Sequence, residues 1–206
     1  MATVALAAPE RESLASDRIL RSATALFAER GYHGTSVRTL ARVLRVETPS
    51  LYYHFPSKQQ ILFAILDRTL DDLLDGLRRA VAAADDAAER LRAAIRFHVL
   101  FHARRRQEAF VSHSELRSLT PANLRRIVAK RDQYEQVFRD LLAAGVRGGV
   151  FRVPDVKLGA MAILSMCTGV ATWYADGGRL APEAIAGRYV EMIVRGVGRN
   201  GKGARS

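Results

Sequence analysis

The stretch TSVRTLARVLRVETPSLYYHFPSKQQIL, Thr35 to Leu62, decides the fold. Val37, Leu40, Ala41 and Leu44 recur at three and four and define the buried stripe of a short helix, with Thr35 or Ser36 at its cap. Thr48-Pro49 offers a cap followed by proline in the first turn, so a second short helix carries Leu51 and Phe55 inward. Two helices of about eight residues joined by a tight turn form a helix-turn-helix. Ala41 lets the second helix cross closely, and Val46 is expected to plug the gap between them. Tyr52 and Tyr53 are adjacent and cannot share one face of a helix. At least one must face outward, beside Thr48, Ser50 and His54, as donors and acceptors suited to base edges and phosphate oxygens. Thr35, Ser36 and Lys58 flank this surface at helix starts, where a backbone clamp would need them.

Working outward, Ile19, Ala23, Leu26 and Phe27 mark a helix over 17–30 stopped by Gly31. Ser57 caps a long helix with Leu62, Ile65, Leu66, Leu70, Leu73 and Leu77 inward. Further helices are expected at about 87–105, 107–119, 121–144, 155–174 and 182–197, making about nine, with no run of period-two alternation. The chain is therefore read as all-α. Residues 1–16 are expected to form a flexible tail, 17–62 the helix-turn-helix domain, 63–198 a second helical domain, and 199–206 a basic flexible tail.

The quoted stretch resembles the signature of TetR-family transcriptional repressors, most specifically in SLYYHFPSK, and ILRSATALFAERGYHG resembles their first helix. The resemblance covers 17–62 without a gap. It implies an N-terminal three-helix head that binds double-stranded operator DNA. It also implies a long fourth helix as connector and a helical core that binds a small effector and forms a homodimer through the last two long helices. Carried over by position, Tyr52, His54 and Lys58 would contact phosphate, and Thr48, Pro49 and Tyr53 would face bases. Two departures stand out. Arg45 occupies the turn where the family has glycine, so the turn is expected to be reshaped, because a left-handed non-glycine residue costs roughly 1–2 kcal/mol. Glu47 stands where serine or threonine usually caps, so either Thr48 takes the cap or Glu47 acts through the helix dipole. Both bear on the base contacts.

The segments from Glu108 to Leu142 and from Trp173 to Val197 are similar to a TetR subgroup that responds to acyl-CoA thioesters in fatty-acid, aromatic-acid or sterol-ring catabolism. For the effector the candidates are Phe97, Phe101, Phe110, Tyr134, Phe138, Met161, Met166, Trp173 and Tyr174, with Arg104–Arg106, Arg125, Arg126, Lys130 and Arg131 as possible phosphate partners. The effector class stays open, with a non-CoA drug or free acid as the alternative. The small residues Gly159, Ala160, Ala162, Ser165, Gly169 and Ala171 suit close helix approach in a dimer.

Lys and Arg total 32 against 21 Asp and Glu, a net +11 that invites a polyanionic partner. Residues 1–60 hold eight basic against five acidic side chains, so most of the surplus lies beyond the helix-turn-helix. A single cysteine, Cys167, leaves no intramolecular disulfide framework, and with no basic-then-apolar leader the chain is expected in the cytoplasm. No apolar run is expected to reach the ~18–20 residues of a membrane span. His98 and His102 stand at i, i+4 with His113 and Glu115 beyond, a spacing able to hold zinc in a helical enzyme. Yet neither HExxH, a cysteine cluster, a nucleophile elbow nor a phosphate loop accompanies it. Neither a cofactor nor a metal is expected, and a non-specific architectural DNA binder is the remaining rival.

Overall fold

The chain's computed structural model describes residues 8–198, and the basic segment 199–206 lies outside them. Among the described residues there are ten α-helices: α1 (Ala8–Arg30), α2 (Val37–Leu44), α3 (Thr48–His54), α4 (Lys58–Ala82), α5 (Ala87–Arg104), α6 (Arg106–Ser114), α7 (Pro121–Arg147), α8 (Val156–Thr168), α9 (Val170–Trp173) and α10 (Pro182–Val197). A 3-10 turn, Leu116–Ser118, lies between α6 and α7, and the only extended pairing among the described residues is an isolated bridge between Phe151 and Gly198. The helix expected over 155–174 is broken at Gly169 into α8 and α9, which accounts for ten segments where about nine were expected. The first helix starts at Ala8 rather than near Asp17, so it takes in much of the stretch expected as a tail.

The chain buries two apolar clusters that meet along α4. The first joins Ile19, Ala23 and Phe27 of α1, Leu40, Ala41 and Leu44 of α2, and Leu51 of α3 to Leu62, Ile65, Leu66 and Leu70 of α4. The second continues from Leu73, Leu74 and Leu77 of α4 into α5, α7, α8 and α10. Each such leucine removed from water contributes about 1.5–3 kcal/mol. The one helix α4 therefore packs leucines into both clusters. Gly76 sits where α4 meets α5: a Cβ there would fall 2.2 Å from Phe97 Cζ, so the ring fills the space of a missing side chain.

The last helices differ from the rest. The window Val156–Trp173 has a mean hydropathy of 1.4 and only 28% of it is buried. This departs from the expectation that no apolar run reaches spanning length, although Gly169 interrupts it. Leu158, Met166 and Trp173, with Met192 on α10, stay exposed.

Candidate functional site

The head is held by polar contacts that the sequence does not advertise. Ser36 caps α2 by accepting from the Thr39 N–H at 3.0 Å, while Thr35 is buried and its hydroxyl donates to the Gly31 carbonyl at 2.9 Å. Thr35 thus braces the loop and does not offer its hydroxyl to a nucleic acid. Lys58 behaves similarly: its Nζ donates to the carbonyls of Tyr32 and Thr35, each at 2.9 Å, and lies 4.1 Å from the centre of the Tyr32 ring. Burial lowers its pKa. The ammonium expected to clamp phosphate is spent largely on fixing the loop before α2.

The turn between α2 and α3 keeps its shape without glycine. Arg45 adopts φ 57°, ψ 46°, and its N–H reaches the carbonyls of Ala41 and Arg42. Arg45 is the sole non-glycine residue with positive φ among those described, so the expected reshaping is replaced by tolerated strain of about 1–2 kcal/mol. Val46 is 37% exposed and does not plug the helix crossing; its backbone N–H bonds the Ala41 carbonyl at 3.0 Å instead. Glu47 occupies the cap of α3 with no side-chain hydrogen bond, leaving only a dipole interaction to it.

Outward, α3 presents Pro49, Ser50, Tyr52 and Tyr53, with Tyr53 75% exposed, while Thr48 and His54 are half-buried. Beside Arg45, which the sequence already offered as a DNA contact, two further arginines sit nearby on α2. Arg38, Arg42 and Arg45 follow at i, i+4 and i+7, all exposed, and make no ion pair among the described residues. Only Arg45 was singled out from sequence; the spacing of the other two, away from the Leu40–Leu44 stripe, was the available signal.

In the core, a cavity of about 460 Å³ opens between α4, α5, α6, α7 and α8. Of the aromatic candidates, Phe101 and Tyr134 line it, as does Met161. Phe138 is fully buried in packing, Phe97 fills the gap against Gly76, and Phe110, Met166 and Trp173 face outward; these five lie outside the lining. Tyr174 is likewise buried away from it.

Sequence reasoning placed His98 and His102 on a possible metal, but the structure gives them another task. Their rings stack at 4.0 Å and 20°, His98 Nδ1 meets the Tyr134 hydroxyl at 2.8 Å, and its Nε2 meets Thr168 Oγ1 at 3.0 Å. Both His98 nitrogens are therefore occupied. His102 Nδ1 donates to the His98 carbonyl at 2.9 Å. Burial drives both pKa values down, that of His102 to about 4, so both imidazoles are neutral at pH 7. Among the described residues no three His, Cys, Asp or Glu side chains gather to hold a metal.

The basic candidates also separate. Lys130 bridges Asp67 and Asp71 of α4 at 2.6 and 2.7 Å, Arg104 pairs with Glu183, and Arg105 pairs with Asp72 and Glu108. Arg126 stacks over Phe63. Only Arg131 of this group lines the cavity.

Residues 19–65 match the model described as bacterial regulatory proteins, tetR family, and residues 84–197 match the tetracyclin repressor-like C-terminal domain. The chain belongs to the TetR family. It is 29% identical over 182 residues to the HTH-type transcriptional repressor KstR2 of Rhodococcus jostii RHA1, covering 87% of this chain and 89% of that protein. The structure of the ketosteroid transcriptional regulator KstR2 of Mycobacterium tuberculosis superposes with a TM-score of 0.84 at 26% identity, covering 90% of this chain and 95% of that one. AibR, solved in complex with isovaleryl coenzyme A and operator DNA, gives 0.80 at 30% identity, covering 86% and 96%. TetR-family regulators are non-enzymatic DNA-binding proteins, and the Rhodococcus jostii relative is named as a repressor, which removes the enzyme reading of the histidine pair.

The TetR head and cavity are joined by hydrogen bonds as well as by α4. Glu115, just after α6, accepts from the Tyr32 N–H at 3.1 Å. Gln59 of α4 donates to the Ser118 carbonyl and accepts from the Thr120 N–H at 3.1 Å. Because α6 carries Ala109, Ser112 and His113 into the cavity lining, its far end is bonded to the loop that Lys58 braces.

Proposed function

We propose that this TetR-family repressor acts in the cytoplasm as a homodimer on a near-palindromic operator and leaves it when a small effector fills the core cavity. One observation carries the reading: the cavity walls on α4 and α6 belong to the same helices that pack and hydrogen-bond the head. An occupant that spreads these walls changes the separation of two heads, whose recognition helices must reach half-sites about one helical turn or a multiple apart. The exposed apolar side chains of α8 and α10 suit a two-fold interface.

Within each head, Tyr52, Tyr53, Thr48, Pro49 and Ser50 of α3 meet the major groove, while His54, Ser36, Arg45, Arg38 and Arg42 border it toward the backbone. Lys58 positions the loop between α1 and α2, with one N–H left for phosphate.

The effector class favoured is an acyl-CoA thioester. The cavity of about 460 Å³ accepts an acyl group while the nucleotide remains outside, and Arg125, one turn before cavity-lining Val128, is exposed and unpaired among the described residues. AibR, a structural neighbour, was solved with such a thioester. The test is a mobility-shift titration of the operator complex with a CoA-thioester panel, each beside its free acid. Release by thioesters at micromolar concentration supports the reading. Release by free acids or drugs alone overturns the thioester assignment in favour of a non-CoA effector, and no release by any member overturns the effector model.

A further inference from the structure

One side of the cavity is polar where a saturated acyl chain would need hydrocarbon. Ser112 Oγ of α6 is buried and has no hydrogen-bond partner among the described residues, and the residue is only 8% exposed. His102 of α5 is 4% exposed; its Nδ1–H is committed to the His98 carbonyl, so a neutral ring leaves Nε2 as a lone pair without a partner among the described residues. His113 of α6 is exposed, lines the cavity with its ring centre 6.3 Å from that of His102, and makes no hydrogen bond there. Arg131 of α7 is half-buried, forms no ion pair among the described residues, and lies close enough to depress both imidazoles' basicity.

Most of the other polar groups of the lining are already satisfied, whereas the exposed Ser165 and Asp132 make no side-chain hydrogen bond or ion pair among the described residues. Tyr134, His98 and Thr168 bond one another, the Thr69 hydroxyl donates to the Ile65 carbonyl at 2.7 Å, and Glu135 is held by Arg139. Asp132 is exposed and does not pair with Arg131. Three elements thus bring a guanidinium, a hydroxyl and two imidazoles without partners to one cavity. A buried polar group without a partner is destabilising, and a guanidinium fork matches a carboxylate in charge and geometry.

We propose that this wall is a receptor for a carboxylate on the acyl part of the effector, so that the effector is the thioester of a dicarboxylic acid, or of a ring acid bearing a second free carboxylate. Arg131 and the Ser112 hydroxyl donate to its oxygens. The inference rests on the thioester reading for the remainder of the ligand. A site built around hydrogen-bonding groups strongly rejects an analogue that leaves them unpaired.

The experiment is calorimetric titration of the full-length dimer with five- to eight-carbon dicarboxylyl-CoA monothioesters, each paired with the monoacyl-CoA of equal length and with the free diacid. The expected result is at least a tenfold preference for one dicarboxylyl thioester over its monoacyl partner, reduced toward parity by Arg131→Gln. Ser112→Ala, which removes one oxygen, is expected to weaken the same preference by less. Equal binding within every pair overturns the carboxylate receptor and leaves the thioester reading standing. Equal weakening of both pair members by Arg131→Gln also overturns it, because Arg131 then serves the common CoA portion. Tight binding of a free diacid but of no thioester supports the receptor and overturns the CoA assignment. Absence of all binding by a protein that still retards operator overturns both.

Discussion

In the head, inward-reaching polar side chains are mostly spent on backbone: Lys58 on two carbonyls, Thr35 on Gly31, Ser36 on the α2 N-terminus, and Arg18 on the Leu44 carbonyl at 2.6 Å. What remains free points outward, in Tyr52, Tyr53 and the arginines of α2. The core inverts this arrangement. On its surface Arg104, Arg105 and Lys130 are ion-paired, while the unsatisfied Ser112 hydroxyl and the unbonded Nε2 of His102 belong to residues that line a cavity. A region that reads a large, rigid polyanion gains from a pre-set convex surface, whereas a region that senses a small molecule must hold back part of its bonding capacity until the ligand arrives. The two regions should therefore respond oppositely to substitution.

The largest effect is expected in the head. Tyr53→Ala removes an exposed ring from α3 and should weaken operator binding on the order of 100-fold, with each disrupted contact worth about 1–3 kcal/mol. The thermal midpoint should hardly change. A mobility-shift assay beside a melting curve checks both, and a large loss of stability with intact DNA affinity would erase the contrast.

The core should show the reverse under acid. Burial holds His102 near 4, while the unfolded chain titrates near 6.5, so the unfolded state binds more protons between these values and stability falls as pH falls. At pH 5 His102 alone should cost about 2 kcal/mol relative to pH 7, and buried His98 adds in the same direction. Urea unfolding at the two pH values measures this. His102→Gln should flatten the dependence, and a flat wild-type curve would mean the imidazoles are not buried neutral.

The subtlest test lies within the head. Arg42→Ala should reduce the slope of log affinity against log salt by about one per protomer, because a phosphate contact is lost. Lys58→Met should weaken binding with a smaller change of slope, since it chiefly frees the loop at Tyr32–Thr35. Equal slope changes would make Lys58 as much a phosphate contact as Arg42.

Much of the helical framework was legible because apolar spacing reports which face is buried: the stripes at Ile19–Phe27, Leu40–Leu44 and Leu62–Leu77 all lie in the clusters. Local spacing failed where a residue's fate depended on a distant segment. Lys58 turns inward because Tyr32 and Thr35 present carbonyls 26 and 23 residues away. Thr35 and Ser36 both had cap chemistry, and only the folded loop decides which one is buried. The cavity was the least legible part. Aromatic identity does not reveal whether Phe97 fills space over Gly76, Phe138 packs the core, or Phe101 faces the void, since each outcome is set by helices from elsewhere in the chain. The serine and arginine of the lining carry no local pattern at all.

The division of the cavity's walls constrains how its chemical preference can drift. Walls on α4 and α6 are shared with the head's packing, and a substitution there is felt by the DNA-reading surface as well. By contrast α8 contributes Met161, Leu164, Ser165 and Thr168 to the lining but no residue to the head cluster. Inherited or engineered changes of ligand taste should therefore accumulate on α8, where a new side chain can reshape the chamber while the DNA-binding apparatus keeps its geometry.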